Sequence, residues 1–460
     1  MSDPAAMTII PIETKPLGDR SYLIISGAVA VVIDPQRDID RIEALLAAHG
    51  AQLTHVFETH IHNDYVSGGR ALADRFDCSY VVPAADRTLV DHIGAGPDDE
   101  FPVDRLTVKA VHTPGHTPHH LSYVLLDAGT PLAVFTGGSM LYGTVGRTDL
   151  IEPGMTEELS RAQFRSVRRL AALPDQVSVH PTHGFGSFCS SSASSGADSS
   201  TIGLERNANL ALTAQHEDSF VTDLLAGLTA YPRYYANMAP LNRAGAAAAD
   251  LSVPELVDPE EIRRRIGAGE WVVDLRARRS FAAEHLAGTV NVELGDSFTT
   301  YLGWTLPWGT PVTLVGDTAA EVAEAQRQLV RIGIDRPAGA ASGGPGRWAV
   351  GGELRSFRAV TFADLATSAR GDGGVLILDV RRDDEWAQGH IHGAVHIPLH
   401  DLERDLDRLP RRELWVHCGS GYRAAIAASL LDRAGLPVVA VDDDWSEAAD
   451  TGLPIVTGDR

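Results

Sequence analysis

Residues 414–425 read LWVHCGSGYRAA, and this stretch decides the fold of the C-terminal part of the chain. A β-type run leads into Cys418, a loop of small residues follows, and a helix-forming segment begins near Arg423. Free N–H groups at the start of that helix and the Arg423 charge favour the thiolate form of Cys418. Because the thiolate is the nucleophilic form, we predict a reactive cysteine rather than a buried structural one.

Two segments upstream of the cysteine loop sharpen this prediction. Residues 375–381 read VLILDVR, and residues 389–398 read GHIHGAVHIP. Together with the loop they resemble the rhodanese family of sulfurtransferases, in which the cysteine carries a sulfane sulfur as a persulfide. The resemblance implies that Cys418 and Arg423 are catalytic. It also implies a persulfide loop made of Gly419, Ser420, Gly421 and Tyr422. The loop has one residue fewer than that of the related phosphatases, which favours sulfur over phosphoryl chemistry.

The block that precedes the cysteine loop occurs twice, at an offset of 105 residues. Three pairs of landmarks share this offset: Asp274 and Asp379, His285 and His390, and Gly288 and Gly393. A constant offset indicates a duplicated domain. Where the second copy has its cysteine, the first copy reads Gly316-Asp317-Thr318. Without a thiol the first copy cannot carry a persulfide, so we predict that it is catalytically silent.

Composition limits the remaining possibilities. The 460 residues suffice for two to four domains, and the net charge of −22 argues against nucleic-acid and anionic-membrane partners. The N-terminus lacks signal-peptide features, and no apolar run approaches the length of a membrane span. The three cysteines form no CxxC pair, which is typical of a reducing compartment. We therefore predict a cytoplasmic protein and leave a homo-oligomer open.

Low-information segments suggest the domain boundaries. The serine-rich tract at 187–200 has the composition of a flexible loop, and residues 244–250 look like a linker. We predict an N-terminal domain at 1–245, the silent copy at 250–355 and the catalytic copy at 358–460.

Histidines in turn-like contexts mark the N-terminal domain. Residues 59–65 read THIHNDY after an apolar run, so the i, i+2 spacing can point His60 and His62 at one ion. The turn TPGHTP at 113–118 offers His116, and HPTHG at 180–184 offers His183. Several histidines that each follow a β-type run indicate a metal site better than a lone histidine does.

These motifs resemble the metallo-β-lactamase superfamily, an αββα sandwich with metal at one edge. GRTDL at 146–150 and HGFGSFC at 183–189 are similar to the persulfide dioxygenase subgroup. The whole order resembles bacterial persulfide dioxygenase–rhodanese fusions. The implied fold class is α/β, with an N-terminal αββα metallo-β-lactamase sandwich followed by two α/β rhodanese domains.

Two positions depart from the superfamily pattern. Tyr65 stands after Asp64 where a histidine is usual, and Gly138 stands where a metal-binding aspartate is expected. Both losses argue against a two-metal hydrolase. We predict one divalent metal on His60, His62 and His116, with Fe(II) as first choice, Zn(II) as the alternative and a metal-free domain left open because of Gly138. An aspartate at position 138 would then be expected to tighten metal binding. Asp64, Tyr65, His183 and Cys189 are further candidates that would support the ligands or contact the substrate.

The resemblance implies an enzyme of persulfide metabolism. Its partners would be a low-molecular-weight thiol persulfide such as glutathione persulfide, and thiosulfate or sulfite. Two alternatives stay open at this point. One is a thioester hydrolase of the glyoxalase II type fused to rhodaneses, and the other is a sulfur carrier with a metal-free N-terminal domain.

Overall fold

The computed structural model describes residues 7–192, 196–370 and 375–458. The chain divides into two compact units, Met1–Ala249 with Val330–Gly333, and Asp250–Leu329 with Ile334–Arg460. Among the described residues, no helix combines the length and the apolar character needed to cross a bilayer.

The first unit is built on two six-stranded sheets. The strands of the first sheet, which pair in chain order, are β1 (Met7–Thr14), β2 (Asp19–Ser26), β3 (Val29–Ile33), β4 (Gln52–Phe57), β5 (Ser79–Pro83) and β6 (Ile93–Ala95). The strands of the second sheet, also in chain order, are β7 (Glu100–Val103), β8 (Leu106–His112), β9 (Leu121–Asp127), β10 (Thr130–Gly137), β11 (Ser178–Pro181) and β12 (Ser200–Thr201). Strands β1 to β3 are antiparallel, β3 to β6 are parallel, and β10 and β11 form a parallel pair within the otherwise antiparallel second sheet.

Aromatic side chains from both sheets form the core between them. The rings of Tyr22 and Phe135 meet edge to face at 5.3 Å, and those of Phe57 and Tyr123 lie 5.0 Å apart. All four side chains are at most 1% exposed. Full burial of a side chain of this size stabilises the fold by about 1.5–3 kcal/mol. The two sheets therefore face each other across one continuous apolar layer.

Helices cover the outer faces of both sheets. They are α1 (Asp40–His49), α2 (Gly69–Phe76), α3 (Thr156–Leu170), α4 (Ile202–Ala208), α5 (Leu210–Thr213), α6 (Glu217–Ala226) and α7 (Tyr235–Ala244). Ile42 and Leu46 of α1 pack with the outer side of the first sheet. Phe164 of α3 and Phe220 of α6 pack with the outer side of the second. This layering is an αββα sandwich, as the sequence predicts.

Part of the serine-rich tract is well anchored. Residues 193–195 lie outside the described residues. In the described part, the Arg147 N–H donates to the Cys189 carbonyl at 2.8 Å, and Ser191 Oγ donates to the Val145 carbonyl at 2.8 Å. Composition alone predicted a flexible loop, but these bonds fix its first half against the neighbouring loop.

The second unit contains two similar α/β layers. The first has strands β13 (Trp271–Asp274), β14 (His285–Leu286), β15 (Val290–Asn291), β16 (Val312–Val315), β17 (Gly339–Ala341) and β18 (Leu354–Arg355), and helices α8 (Pro259–Gly267), α9 (Arg278–Ala283), α10 (Phe298–Thr305), α11 (Ala319–Val330) and α12 (Pro345–Trp348). The second has strands β19 (Arg358–Val360), β20 (Leu376–Asp379), β21 (His390–Ile391), β22 (Val395–His396), β23 (Leu414–His417), β24 (Val438–Val441) and β25 (Ile455–Val456), and helices α13 (Phe362–Ala369), α14 (Asp383–Gln388), α15 (Leu399–Asp405), α16 (Tyr422–Arg433) and α17 (Trp445–Asp450).

The strand orders of these two layers correspond. The parallel sheet of the first runs β15-β13-β16-β17, and that of the second contains the same arrangement as β22-β20-β23-β24, with β19 added at one edge. Each central strand ends in a buried aspartate, Asp274 in the first and Asp379 in the second. Each aspartate accepts hydrogen bonds from two side-chain nitrogens of the arginine two residues later. The duplicated sequence block thus has the same place in both layers.

Candidate functional site

Four loops of the first unit meet at one edge of the sandwich. His60 follows β4, Gly138 follows β10 and His183 follows β11, while His116 lies in the loop between β8 and β9. Strands β10 and β11 are parallel, so the loops after them emerge at the same edge. Long-range pairing therefore gathers side chains that lie up to 123 residues apart in the sequence.

The three histidines of these loops form a compact, buried group. The ring centroids of His60, His116 and His183 are 4.8–5.4 Å apart, and the three side chains are fully buried. One potential ligand atom from each lies within 4.8 Å of the others. His60 Nε2 and His183 Nε2 are 3.4 Å apart. The group has the size of a single-ion site.

Hydrogen bonds fix the orientation of each of these rings. His116 Nδ1 donates to the Arg147 carbonyl at 2.7 Å, and His183 Nδ1 donates to Asp19 at 2.9 Å. His60 Nδ1 lies 2.8 Å from Thr59 Oγ1, whose own proton goes to Asp34. His60 is therefore the donor in that pair. All three rings use Nδ1 for support and turn Nε2 toward the group, which is typical of metal-binding histidines.

The surroundings of the His116 ring favour metal binding most clearly. Its Nε2 is buried and has no hydrogen-bond partner among the described residues. Burial, the neighbouring His183 and other charges lower the pKa of His116 to about 3, so the imidazole is neutral. A buried unsatisfied nitrogen is costly unless something binds its lone pair. These observations fit a metal ion at the centre of the group.

Two carboxylates lie behind His183. Asp19 and Asp64 contact its Nδ1 at 2.9 and 3.1 Å. Burial would lower the pKa of His183, but these two carboxylates raise it well above its usual value. Burial and Asp64 raise the pKa of Asp19 to about 7. A carboxylate–histidine pair of this kind increases the basicity of the ligand and brings negative charge near the ion. The site therefore retains nearby negative charge despite Gly138.

His62 faces a different set of groups. Its Nε2 lies 3.2 Å from Asp34, 3.4 Å from Glu58 and 3.0 Å from the Tyr65 hydroxyl. Burial opposes a charge on this ring, yet the carboxylates raise the pKa of His62 to about 9. Its Nδ1 is buried without a hydrogen-bond partner in the described ranges. His62 also shares one candidate group with Asp64 and His183, so its role as a ligand stays a prediction, through Nδ1.

Asp34 connects the loops that carry His60 and His183. It accepts the Thr59 N–H at 2.7 Å and the Thr59 hydroxyl at 2.8 Å, and it also accepts the Thr182 hydroxyl. Burial would raise the pKa of Asp34, but His62 and these donors lower it. A carboxylate that is ionised and multiply bonded in this way holds the adjacent His60 and His183 in position.

Gly138 leaves no room for a side chain. A Cβ at this position would lie 2.2 Å from His116 Cδ2 and 2.5 Å from His116 Cγ. The His116 ring is held by its bond to Arg147, and its main-chain N–H donates to Gln163 at 2.7 Å. The expectation that an aspartate at position 138 would tighten metal binding is therefore wrong for this geometry, because the new side chain would displace the His116 ring.

We predict that Gly138→Ala weakens metal binding by about 10- to 100-fold, the range seen when groups that orient a ligand are disturbed. The added methyl group must push the His116 ring out of the group. Titration with Fe(II) or Zn(II) under anaerobic conditions measures the effect. Gly154→Ala is the matched control, since a Cβ there meets nothing within 4 Å. Equal affinity for Gly138→Ala and the wild type would show that His116 is not a ligand.

Cys189 and Asp149 lie outside the three-histidine group. Cys189 is buried, and burial together with Asp64 and Asp19 raises the pKa of its thiol well above the usual value. It lies near the carboxylates behind His183 rather than in the three-histidine group. Asp149, the carboxylate of the GRTDL segment, is held by Arg147 through bonds of 2.7 and 2.8 Å.

The cysteine loop of the second unit connects β23 to α16. Cys418 follows the last strand residue and is fully buried. Gly421, which precedes α16, has φ +83°, and a Cβ there would lie 2.2 Å from Asp442 Oδ1. Glycine is therefore required at this position for both backbone and space. The loop places Cys418 beside the N-terminus of a 12-residue helix, where N–H groups favour an anion.

Arg423 has a carboxylate partner that the sequence argument did not assign. Its two terminal nitrogens bind both Glu385 oxygens at 2.6 and 2.7 Å. Burial would raise the pKa of Glu385, but Arg423 lowers it to about 2. Glu385 thus holds the guanidinium in one orientation at any pH well above 2.

In the first copy, the side chain of Glu321 fills the corresponding loop. Glu321 Oε2 accepts the N–H groups of Asp317 and Thr318 at 2.8 and 3.0 Å. Thr318 Oγ1 in turn accepts the Glu321 N–H at 3.2 Å. These contacts form a capping box at the start of α11. A carboxylate fills the position where the second copy presents donors to an anion, which agrees with a silent first copy.

Sequence patterns missed several supporting residues. Asp19 stabilises His183, and Glu385 orients Arg423. Asp19 belongs to no sequence motif, because its contact with His183 depends on β2 running past the loop after β11. Glu385 lies between the two quoted rhodanese-like segments, 375–381 and 389–398, and a carboxylate there was the available signal.

Family models match two separate parts of the chain. Residues 15–183 match the metallo-beta-lactamase superfamily, and residues 362–450 match the rhodanese-like domain. These matches confirm the two domain types predicted from the sequence, and both point to enzymatic activity.

The curated relatives match about a third of the chain. A hydroxyacylglutathione hydrolase of Brucella anthropi is 35% identical over 148 residues, which make up 32% of this chain and 53% of that protein. The Brucella ovis protein of the same name is 33% identical over 159 residues, or 34% of this chain and 58% of that protein. The chain thus spans little more than half the length of these relatives.

Solved structures extend the similarity. A metallo-beta-lactamase crystal structure from Staphylococcus aureus subsp. aureus COL is 29% identical, with a TM-score of 0.66, and covers 73% of this chain and 99% of that one. ETHE1 from Myxococcus xanthus is 28% identical, with a TM-score of 0.45, and covers 52% of this chain and 98% of that one. The first of these supports the fold over most of the chain.

Proposed function

Because the chain joins a metallo-β-lactamase superfamily domain to a rhodanese-like domain, we propose that it processes persulfide sulfur at two centres. The N-terminal domain would oxidise the terminal sulfur of a low-molecular-weight thiol persulfide, such as glutathione persulfide. The C-terminal domain would transfer sulfane sulfur through Cys418. The observation that carries the first part is the group of three buried histidines, His60, His116 and His183, with a glycine rather than a carboxylate at position 138.

The donor set fits one iron(II) or zinc(II) ion held by His60, His116 and His183. Three imidazoles suit either ion once the metal replaces the proton that His183 carries, and iron, when bound, would supply the activation of O₂. Asp19 and Asp64 would hold His183 in the ligating tautomer, and Thr59 would do so for His60. The surrounding burial would exclude bulk water from the oxidising centre.

The overall oxidation balances without any further reductant. One persulfide RSSH, one O₂ and one water give the thiol RSH, sulfite and two protons. The terminal sulfur is oxidised and O₂ is reduced. Sulfite is also the product of sulfur donation by thiosulfate, so the two domains would share an intermediate. Tethering the domains in one chain would raise the effective concentration of that intermediate.

Cys418 would act as the nucleophile of the second centre. Its sulfur would attack the outer sulfur of a donor, and the N–H groups at the start of α16 would stabilise the resulting persulfide anion. Arg423, held by Glu385, would add positive charge beside the incoming anion. The short loop between Cys418 and Arg423 fits this role.

A thioester hydrolase is the second candidate, favoured by the identity to hydroxyacylglutathione hydrolases. That chemistry uses a metal-activated hydroxide. Tyr65 and Gly138 remove two of the groups expected around a second metal in this superfamily. We therefore rank hydrolysis below persulfide oxidation.

Oxygen uptake separates the two candidates. Purified full-length protein loaded with Fe(II) is mixed with glutathione persulfide in an oxygen electrode, and sulfite is measured in parallel. Persulfide oxidation predicts equal amounts of O₂ consumed and sulfite formed. No O₂ uptake, together with hydrolysis of a glutathione thioester by the Zn(II)-loaded protein, would favour the hydrolase.

A further inference from the structure

A cavity of about 880 Å³ lies in the second copy of the duplicated domain. Its walls come from α14, from β21 and β22 with the segment that joins them, and from β25. No residue of the loop that carries Cys418 is among the described residues that line it. Small organic ligands occupy protein cavities of about 300–1,000 Å³. The cavity therefore has the volume of a ligand site that is separate from the cysteine.

Three aromatic rings form a stack along one wall of this cavity. The Trp386 indole lies 3.5 Å from the His390 ring and 4.4 Å from the His396 ring, measured between ring centroids. The planes of the two imidazoles are 8° and 10° from that of the indole. Two parallel rings so near the indole centre would overlap if they shared one face, so the indole lies between them. The stack holds both imidazoles in place.

Main-chain carbonyl groups fix the tautomer of both imidazoles. His390 Nδ1 donates to the Trp386 carbonyl at 3.1 Å, and His396 Nε2 donates to the Arg381 carbonyl at 2.9 Å. A carbonyl oxygen can only accept, so these two nitrogens carry the protons of the neutral rings. His390 Nε2 and His396 Nδ1 are therefore hydrogen-bond acceptors.

His390 Nε2 is an acceptor that the protein itself does not satisfy. His390 is only 3% exposed and lines the cavity. Its side chain makes one hydrogen bond to the described residues, and that bond uses Nδ1. A nearly buried acceptor without a partner is unfavourable unless a donor from outside the protein reaches it. The cavity wall thus offers an unpaired acceptor to an occupant.

A carboxylate adds negative charge beside the other imidazole. Asp383 Oδ1 lies 3.8 Å from His396 Nδ1 and lines the same cavity. Among the described lining residues there is no lysine or arginine. The net charge of −22 also favours cations around the chain as a whole. An occupant that matches these groups must bring hydrogen-bond donors and a positive charge.

We propose that this cavity binds a small organic cation with several N–H groups, of the ammonium or guanidinium class. The N–H groups of the ligand donate to His390 Nε2 and His396 Nδ1, and Asp383 balances its charge. The two imidazoles lie on opposite faces of the indole, and neither belongs to a group of described residues that could hold one metal ion. Neither Cys418 nor the three-histidine group takes part in this binding.

The test measures the binding of agmatine, which carries one ammonium and one guanidinium group, to the full-length protein by isothermal titration calorimetry. One agmatine should bind per chain. His390→Phe keeps a ring for the stack but removes the acceptor, and it should weaken binding by about tenfold or more, as expected for a hydrogen bond to a charged group. His390→Gln offers an amide oxygen as acceptor and should retain more of the affinity than His390→Phe.

Asp383→Asn tests the charge with a surface change that does not disturb the stack. Its side chain is 86% exposed, so the loss should be smaller, up to about fivefold. Asp450→Asn is the matched control, because Asp450 is an exposed carboxylate of the same copy that does not line the cavity. It should bind agmatine as tightly as the wild type.

Matched ligands of similar length test the chemical class. Glutarate, a dianion, and 1,5-pentanediol, a neutral diol, should bind far more weakly than agmatine. The proposal is overturned if agmatine fails to bind at concentrations up to about 10 mM, or if glutarate binds as tightly. Unchanged agmatine affinity in both His390→Phe and Asp383→Asn also overturns it, as does an equal loss in Asp450→Asn.

Discussion

Cys418→Ser is expected to lower thiosulfate:cyanide sulfur transfer by at least about a thousandfold, a loss typical of removing a catalytic nucleophile. A serine hydroxyl cannot form the persulfide that carries sulfur between donor and acceptor. Serine is close in size to cysteine, so the buried loop should keep its structure. Turnover is measured as thiocyanate formed, and thermal unfolding checks the fold.

A matched control uses another thiol of the same chain. Cys78 is half-buried, and burial with the neighbouring Asp77 raises the pKa of its thiol to about 11, so it is a poor nucleophile. Cys78→Ser should retain wild-type sulfur transfer. Most of the activity surviving in Cys418→Ser would contradict the assignment of Cys418.

His116→Ala is expected to lower O₂-dependent persulfide oxidation by at least about 100-fold, because it removes one of three ligands and leaves the ion partly unbound. The same variant should keep sulfur transfer, since Cys418 belongs to the other unit. Oxygen uptake and thiocyanate formation are measured on one preparation. This pairing distinguishes loss of the metal centre from general unfolding.

His55→Gln is the control for this second prediction. His55 lies on β4, five residues before His60, and stacks on Phe57 outside the three-histidine group. The His55→Gln variant should retain O₂-dependent persulfide oxidation. Equal oxidation by His116→Ala and the wild type would contradict the proposed centre.

The strand, loop and helix around Cys418 could be predicted because they are local in the sequence, whereas the complete burial of Cys418 was not expected. The strand, the loop and the first turn of α16 fall within twelve consecutive residues, and each has a recognisable composition. Tyr301, whose ring lies 5.6 Å from that of Tyr422, could not be predicted as a neighbour, because it lies more than a hundred residues upstream. Only the packing of α10 beside the cysteine loop reveals it.

The histidine site shows where a spacing argument reaches its limit. The i, i+2 rule predicted that His60 and His62 share an ion, and their rings do lie close, 4.1 Å apart. However, the rule contains no information about Asp34 and Glu58, whose buried carboxylates bind His62 Nε2. His183 was predicted as a supporting residue, yet the geometry places its Nε2 beside that of His60.

Gly138 illustrates a similar limit. The sequence identified the missing carboxylate and suggested that an aspartate would restore it. In the structure the space beside Gly138 is taken by the His116 ring. The loss of the carboxylate and the position of the imidazole are coupled, and a single substitution cannot reverse one without disturbing the other.

The most direct test of the three-histidine centre is metal content per chain in the wild type, His183→Ala and His62→Ala. Each protein is loaded anaerobically with Fe(II), freed of excess metal and analysed by elemental mass spectrometry. We expect about one iron per wild-type chain, little iron in His183→Ala, and a smaller loss in His62→Ala. Full occupancy in His183→Ala together with loss of iron in His62→Ala would contradict the proposed centre and assign the third position to His62.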